Sequence, residues 1–244
     1  MKLAKVSHAQ TLRGLKNISW LTTRQLGKVA AGLNVSMFEK RSQIFDERDN
    51  SNWCYVLLSG VARVTCRNRK GRRAVVIMLA PGMIPAFPQP VIGVNYNFRC
   101  EAVTACNVGT IGWDDFIEIC LGIGSVDFKR MASNYAGRWD LVQLRCLNFM
   151  SCTLGERLAL ILLELSDNFG VPDAQGTRLT VKARHADLAE LAGASRPRVS
   201  EHLTDFEAKH MIMRRRRQLV VNRDRLESFL SLSHSHATEE LSIA

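Results

Sequence analysis

The side chains best equipped for chemistry crowd into one stretch, Ala183 to Arg217, which reads ARHADLAELAGASRPRVSEHLTDFEAKHMIMRRRR. Ser195, Arg196, Arg198, Ser200, Glu201 and His202 fall within eight positions, and Arg214, Arg215, Arg216 and Arg217 form an unbroken cationic run. Hydroxyl, guanidinium, carboxylate and imidazole groups at this density can read a patterned polar surface by hydrogen bonds, or can merely solvate a helix face. A guanidinium offers a planar fork of donors that matches a phosphate or a guanine edge. No Ser-His-Asp order, paired-carboxylate motif, phosphate-binding Walker loop or zinc-protease motif is present, so nothing favours an enzyme.

Such groups need elements to hold them. Leu188, Leu191 and Ala192 recur at helical spacing, and Gly193 can end that helix because it takes a left-handed backbone without strain. Ser195 suits the N-cap of a second helix and Pro197 its first turn. Val199, Leu203 and Phe206 make that helix's buried stripe, which leaves the polar residues outside and near its start. Met211–Met213 and Leu219–Val221, two short apolar runs flanking the arginines, predict a β-hairpin wing. Residues 178–225 hold twelve Lys and Arg against six Asp and Glu, most of the surplus behind the chain's net charge of +10. An ordinary helical hairpin with a basic face is the plain alternative. The wing and the charge favour a winged helix-turn-helix whose second helix enters the DNA major groove.

The segment GASRPRVSEHL resembles the turn and recognition helix of the Crp/Fnr family of bacterial transcription regulators, where a Ser-Arg pair opens the helix. The resemblance implies that Arg196 reads a guanine. Pro197 stands where that family often has a Glu that accepts from a cytosine, so the implied half-site differs there. The phosphate contacts are expected from Arg184 and Arg214 to Arg217.

The chain has 244 residues and a sequence pI of about 9.6, enough for two modest domains and suited to a polyanionic partner. MKLAKVSHAQ lacks the apolar core of a signal peptide, and Leu158–Leu165 is too short to span a bilayer and contains Glu164. The expectation is a cytoplasmic protein. Residues 1–40 read as mainly helical, with LTTRQLGKVAAGL capped at Thr22 or Thr23 and Leu26, Val29, Ala30 and Leu33 on one face. From 41 to 118 short β-prone runs alternate with turns at Ser59-Gly60, Lys70-Gly71 and Pro81-Gly82, which predicts a small antiparallel barrel or double-sheet jelly roll. YVLLSGVARV, IFDERD and APG resemble the same family's sensor domain. They imply the double-stranded β-helix of cyclic-nucleotide-binding domains.

The ligand loop departs from the nucleotide binders. The family's Gly-Glu and Arg-Ser pairs hold the cyclic phosphate and ribose. PGMIPAFPQPVIGVNYNF places Ala86 and Phe87 at the first pair and Tyr96 and Asn97 near the second. Arg99 is the nearest cation, a few residues out of register, and Pro85, Pro88 and Pro90 each lack an N–H. The expected occupant is not cyclic AMP. An apolar plug, an empty pocket, a non-nucleotide ligand and an atypical nucleotide pocket all stay open.

Cys54, Cys66, Cys100, Cys106, Cys120, Cys146 and Cys152 contain no CxxC, and none precedes position 54, where cluster-bearing relatives carry theirs. Reduced structural thiols are expected, with no metal and no cofactor, and His234-x-His236 reads as an exposed tail. A redox-sensing cysteine or an iron–sulfur centre is the alternative.

Residues 125–150 predict one long helix with Phe128, Met131, Tyr135, Val142, Cys146 and Phe149 on one stripe and Trp139 beside it. Steps of three and four track a coiled-coil seam. A helix packed on its own barrel is the plain alternative, and both faces can be used, with Leu141, Leu144 and Leu147 touching the barrel; the resemblance implies that this helix pairs with its twin about a two-fold axis. The expected architecture is α+β. A sensor barrel spans 1–124, a dimerisation helix and hinge 125–152, a winged helix-turn-helix 153–232, and a disordered polar tail 233–244. The expected partners are double-stranded DNA, a second copy of the chain and, from the resemblance, RNA polymerase.

Overall fold

The computed structural model describes residues 9–15, 18–47, 49, 52–67, 71, 73–83, 98–121, 129, 132–133, 143–215 and 218–241. The chain divides into two compact units, Met1–Gln143 and Leu144–Ala244.

In the first unit a short helical stretch over 9–13 precedes α1 (Thr23–Gly32), which begins at Thr22 with a capping box. The Gln25 N–H donates to Thr22 Oγ1 at 3.2 Å and the Thr22 N–H donates to Gln25 Oε1 at 2.8 Å, satisfying two groups a helix start leaves unpaired. Buried Gln25 also donates through Nε2 to the carbonyls of Ile119 and Cys120, tying α1 to the end of α2 (Trp113–Leu121). Between these helices run β1 (Asn34–Phe38), β2 (Gln43–Phe45), β3 (Trp53–Ser59), β4 (Ala62–Arg67), β5 (Arg73–Leu79), β6 (Arg99–Ala102) and β7 (Cys106–Gly112). They form two antiparallel sheets in the orders β1-β7-β3 and β2-β6-β4-β5. Strand β1 ends the mainly helical stretch expected over 1–40: Leu33 ends α1 in extended backbone, and the β-prone NVSMF pairs with β7 from there.

The unbroken apolar run of β3 follows from burial on both faces. Cys54, Val56 and Leu58 pack with Leu26, Val29, Phe116 and Cys120 beneath the helices. Tyr55 and Leu57 face the other way and join Phe45, Val64, Leu79, Cys100 and Ala102 between the sheets. Gly60 makes the β3–β4 turn at φ +89°, and a Cβ there would collide with the Ala105 carbonyl, so both conformation and space demand glycine.

The second unit centres on α3 (Leu154–Phe169), started by a capping box in which Thr153 and Glu156 exchange hydrogen bonds at 3.3 and 2.6 Å. Around it lie β8 (Gly170–Asp173), β9 (Gly176–Leu179), α4 (His185–Ala192), α5 (Arg196–Ala208), β10 (Ile212–Arg215), β11 (Gln218–Val221) and α6 (Arg223–Leu241). The strands order β10-β11-β9-β8, all antiparallel. Strand β8 accommodates Pro172 because it is the sheet's edge, where a missing N–H breaks no ladder. Helix α6 runs on to Leu241 through part of the stretch expected to be a disordered tail, since no Gly or Pro interrupts it.

Candidate DNA-binding interface

Helices α4 and α5 are joined by a turn of three residues, Gly193 to Ser195. Gly193 sits at φ 62°, ψ 38°, and its N–H and that of Ala194 close the end of α4 on the Glu190 and Ala189 carbonyls at 3.2 and 2.9 Å. A Cβ there would also lie 2.6 Å from Phe149 Cε1. That ring, expected on the dimer seam, rests against the turn and stays 50% exposed, with the Arg157 guanidinium 5.4 Å from its centroid. Arg157 donates to the carbonyls of Ala192 at 3.1 Å and Cys152 at 2.7 Å, so one side chain holds the end of α4 to the end of helix 143–151. Arg157 carried no signal in the sequence, because its partners are backbone carbonyls that only tertiary folding brings near.

Val199, Leu203 and Phe206 are buried as expected and turn the rest of α5 outward. Ser195 is the N-cap but makes no side-chain cap bond, and Pro197 removes an N–H that the first turn would leave unpaired. Arg196, Arg198 and Glu201 are exposed, as is Arg184 at the N-cap of α4. Arg184, Arg196 and Arg198 make no ion pair among the described residues. Ser200, Glu201, Thr204, Asp205 and Ala208 line a shallow depression on the outer side of α5. His202 is half-buried, and its ring lies where a Cβ on Gly155 would come within 3.5 Å, so it packs toward α3 instead of outward.

The wing forms where the flanking apolar runs placed it, with Ile212↔Val221 to Arg215↔Gln218 in register. Arg214 pairs with Glu207 at 3.2 Å and Arg215 with Asp173 at 3.3 Å, so both expected phosphate contacts already have carboxylate partners. Arg216 and Arg217 lie outside the described residues. His185, the first residue of α4, places Nδ1 2.7 Å from Ser200 Oγ on α5. Burial, then the charges of Arg214 and Arg196, push its pKa below the usual histidine value.

Of the expected effector residues, Ala86, Phe87, Tyr96 and Asn97 lie outside the described residues. Arg99 alternates along β6 with Cys100 and Ala102, which face the core between the sheets, so it points to the other face. There it meets Asp46 Oδ2 at 2.6 Å. Of the expected seam, Phe128, Met131, Tyr135, Trp139 and Val142 lie outside the described residues, and Cys146 is exposed. Leu144 and Leu147, expected to turn toward the barrel, are 53% and 58% exposed, and Met150 is 85% exposed. Cys100 and Cys106 are buried in the inter-sheet core, where desolvation raises both thiol pKa values. Among the described residues no three His, Cys, Asp or Glu side chains gather as metal ligands, and no helix is long and apolar enough to cross a membrane.

Comparison with known proteins decides the family. Residues 156–229 match the Crp-like helix-turn-helix domain, and residues 35–122 match the cyclic nucleotide-binding domain. The chain belongs to the Crp/Fnr family. Among family members, the nitrogen fixation regulation protein FixK of Azorhizobium caulinodans is 28% identical over 208 residues, covering 81% of this chain and 78% of FixK. The global nitrogen regulator of a Nostoc species is 24% identical over 201 residues, 82% of this chain and 90% of that protein. The fold of FixK2 from Bradyrhizobium japonicum superposes with a TM-score of 0.68 at 21% identity, covering 80% of this chain and 96% of that one. A CooA variant from Carboxydothermus hydrogenoformans gives 0.66 at 17%, over 82% and 88%. These Crp/Fnr folds share the β-sheet domain and the helix-turn-helix domain described above.

Proposed function

We propose that this chain is a sequence-specific transcription regulator of Crp/Fnr type, working in the cytoplasm as a homodimer on a near-palindromic DNA site. The observation that carries the reading is the outer start of α5. Arg196 and Arg198 stand exposed and without ion-pair partners among the described residues, on a helix whose opposite stripe is fully buried. Two such helices about 34 Å apart would enter successive major grooves. Ser195, Arg196, Arg198, Ser200 and Glu201 face bases in this reading, and Arg184 with the wing arginines faces phosphates. RNA polymerase is the partner the family suggests.

Dimerisation finds support in Leu144, Leu147 and Met150, which leave apolar surface in water on helix 143–151. The effector is not cyclic AMP or cyclic GMP in this reading. Desolvating a cyclic phosphate needs a cation, and Arg99 is turned from the inter-sheet core and engaged by Asp46. The deciding experiment selects a duplex from random sequence and measures affinity across a salt series. The expected result is a defined consensus and a slope of log K on log[salt] of about −0.9 per phosphate contacted. No consensus, or a flat salt response, rejects DNA reading.

A further inference from the structure

Among the described residues, His185 is the one titratable side chain hydrogen-bonded to a base-facing residue of α5. Its Nδ1 lies 2.7 Å from Ser200 Oγ, a hydrogen bond joining the first residue of α4 to the middle of the recognition helix. Ser200 also borders the shallow depression that Glu201, Thr204 and Asp205 line on the outer side of α5. A hydroxyl has one proton and two lone pairs. What it gives to the imidazole it cannot give to a base.

We propose that His185 is a specificity-determining residue acting through Ser200: the imidazole decides whether the hydroxyl turns its proton or its lone pairs toward the DNA. The inference rests on the reading of α5 as the helix that meets base edges. With Nδ1 bare, Ser200 donates to the ring and presents only lone pairs outward. It then suits a donor edge, the N6 amine of adenine or the N4 amine of cytosine. Protonation puts a hydrogen on Nδ1 and removes the bare form. Ser200 then accepts from the ring, and its own proton is free for N7 or O6 of guanine or O4 of thymine.

The surroundings bias this exchange. The charges of Arg214 on β10 and Arg196 at the start of α5 act on the ring, and Arg184 is its neighbour at the α4 cap. Glu207 of α5 pairs with Arg214 and takes up part of that charge. Burial and the two arginines together favour the neutral ring in the free protein. DNA phosphates brought against those arginines offset the repulsion, so binding draws a proton onto His185.

The test uses the full-length protein, the duplex selected from random sequence and every single-base-pair variant of it. Binding is measured at fixed ionic strength near about pH 8 and about pH 6, either side of the ordinary imidazole range. At one base pair of each half-site, preference should move toward guanine or thymine at the lower pH by roughly two- to tenfold, the scale of one hydrogen bond. Preferences elsewhere should hold. Ser200→Ala and His185→Asn should each still select DNA and lose the shift. His185→Asn, whose amide can keep the bond to Ser200 without titrating, should retain more affinity than His185→Ala. A wild-type preference that is the same at both pH values overturns the inference and leaves DNA reading intact, as does a shift that persists in Ser200→Ala. Absence of sequence-selective binding by the wild type at both pH values overturns both.

Discussion

At the scale of single residues, Gly193 and Arg196 carry opposite kinds of demand. Gly193 answers to the backbone and to Phe149: its φ is 62° and an added Cβ would meet the ring at 2.6 Å. Gly193→Ala should therefore lower stability by at least about 1–2 kcal/mol, read from the urea midpoint at unchanged slope. Arg196 is exposed and without an ion pair among the described residues, and in the proposed reading it answers to DNA. Arg196→Ala should leave that midpoint within about 0.5 kcal/mol. It should cost about 1–3 kcal/mol of discrimination at one base pair, measured on a panel of altered sites. Arg215→Ala should weaken binding to all those sites alike, and by less than an unpaired cation would, because Asp173 already holds it. His185 adds a pH term to stability. Its folded pKa is depressed, so the unfolded chain takes up the proton first as pH falls below the ordinary histidine range. Stability is full above that range and declines as pH drops through the lowered folded value. Urea midpoints between about pH 8 and about pH 5 should fall less steeply in His185→Asn than in wild type.

At the scale of elements, helix 143–151 links several parts of the second unit. Arg145 reaches Glu164 of α3 at 2.6 Å, Phe149 rests on the α4–α5 turn, and Arg157 bridges the ends of two helices. Its other side chains, Leu144, Cys146, Leu147 and Met150, remain in water in the single chain. If a second copy covers them, Cys146 should react slowly with a thiol reagent at micromolar protein and faster on dilution below the dimer constant. Reaction at one rate across all dilutions would place the interface elsewhere. Cys54, Cys100, Cys106 and Cys120, all buried, should label only on unfolding. The capping box that starts α3 is a second element-level feature. Thr153→Ala should cost about 1 kcal/mol of stability, read in the same urea experiment.

At the scale of the whole molecule, the two units divide different tasks, a β-sheet domain of the cyclic-nucleotide-binding type and a DNA-reading domain. What the first unit senses should not be a cyclic nucleotide. Calorimetry with cyclic AMP and cyclic GMP at about millimolar concentration should give no saturable heat, since at a weaker dissociation constant than that binding is worth less than about 4 kcal/mol. Stoichiometric binding lost in Arg99→Ala would sink this reading and require Arg99 to leave Asp46.

Much of this was legible in the residues alone, for a common reason. Patterns whose cause is local survive in sequence. The Val199, Leu203 and Phe206 stripe, the αL glycine at 193, the cap at Thr22, the Gly60 turn and the wing strands around the arginines each depend on neighbours a few positions away. Other features required the chain to close on itself. Whether Pro172 could sit in a strand depended on β8 being an edge, which is a property of the sheet. That Arg99 turns from the core depended on the register of β6, in which one step of the pleat reverses every side chain. Phe149 follows a seam periodicity, which says nothing of the contact its ring makes with Gly193. His202 fell on the polar list by type and toward α3 by packing. The bond from His185 to Ser200 spans 15 residues and two helices. No spacing rule contains it, because the α4–α5 crossing that creates it is fixed by apolar residues elsewhere on both helices.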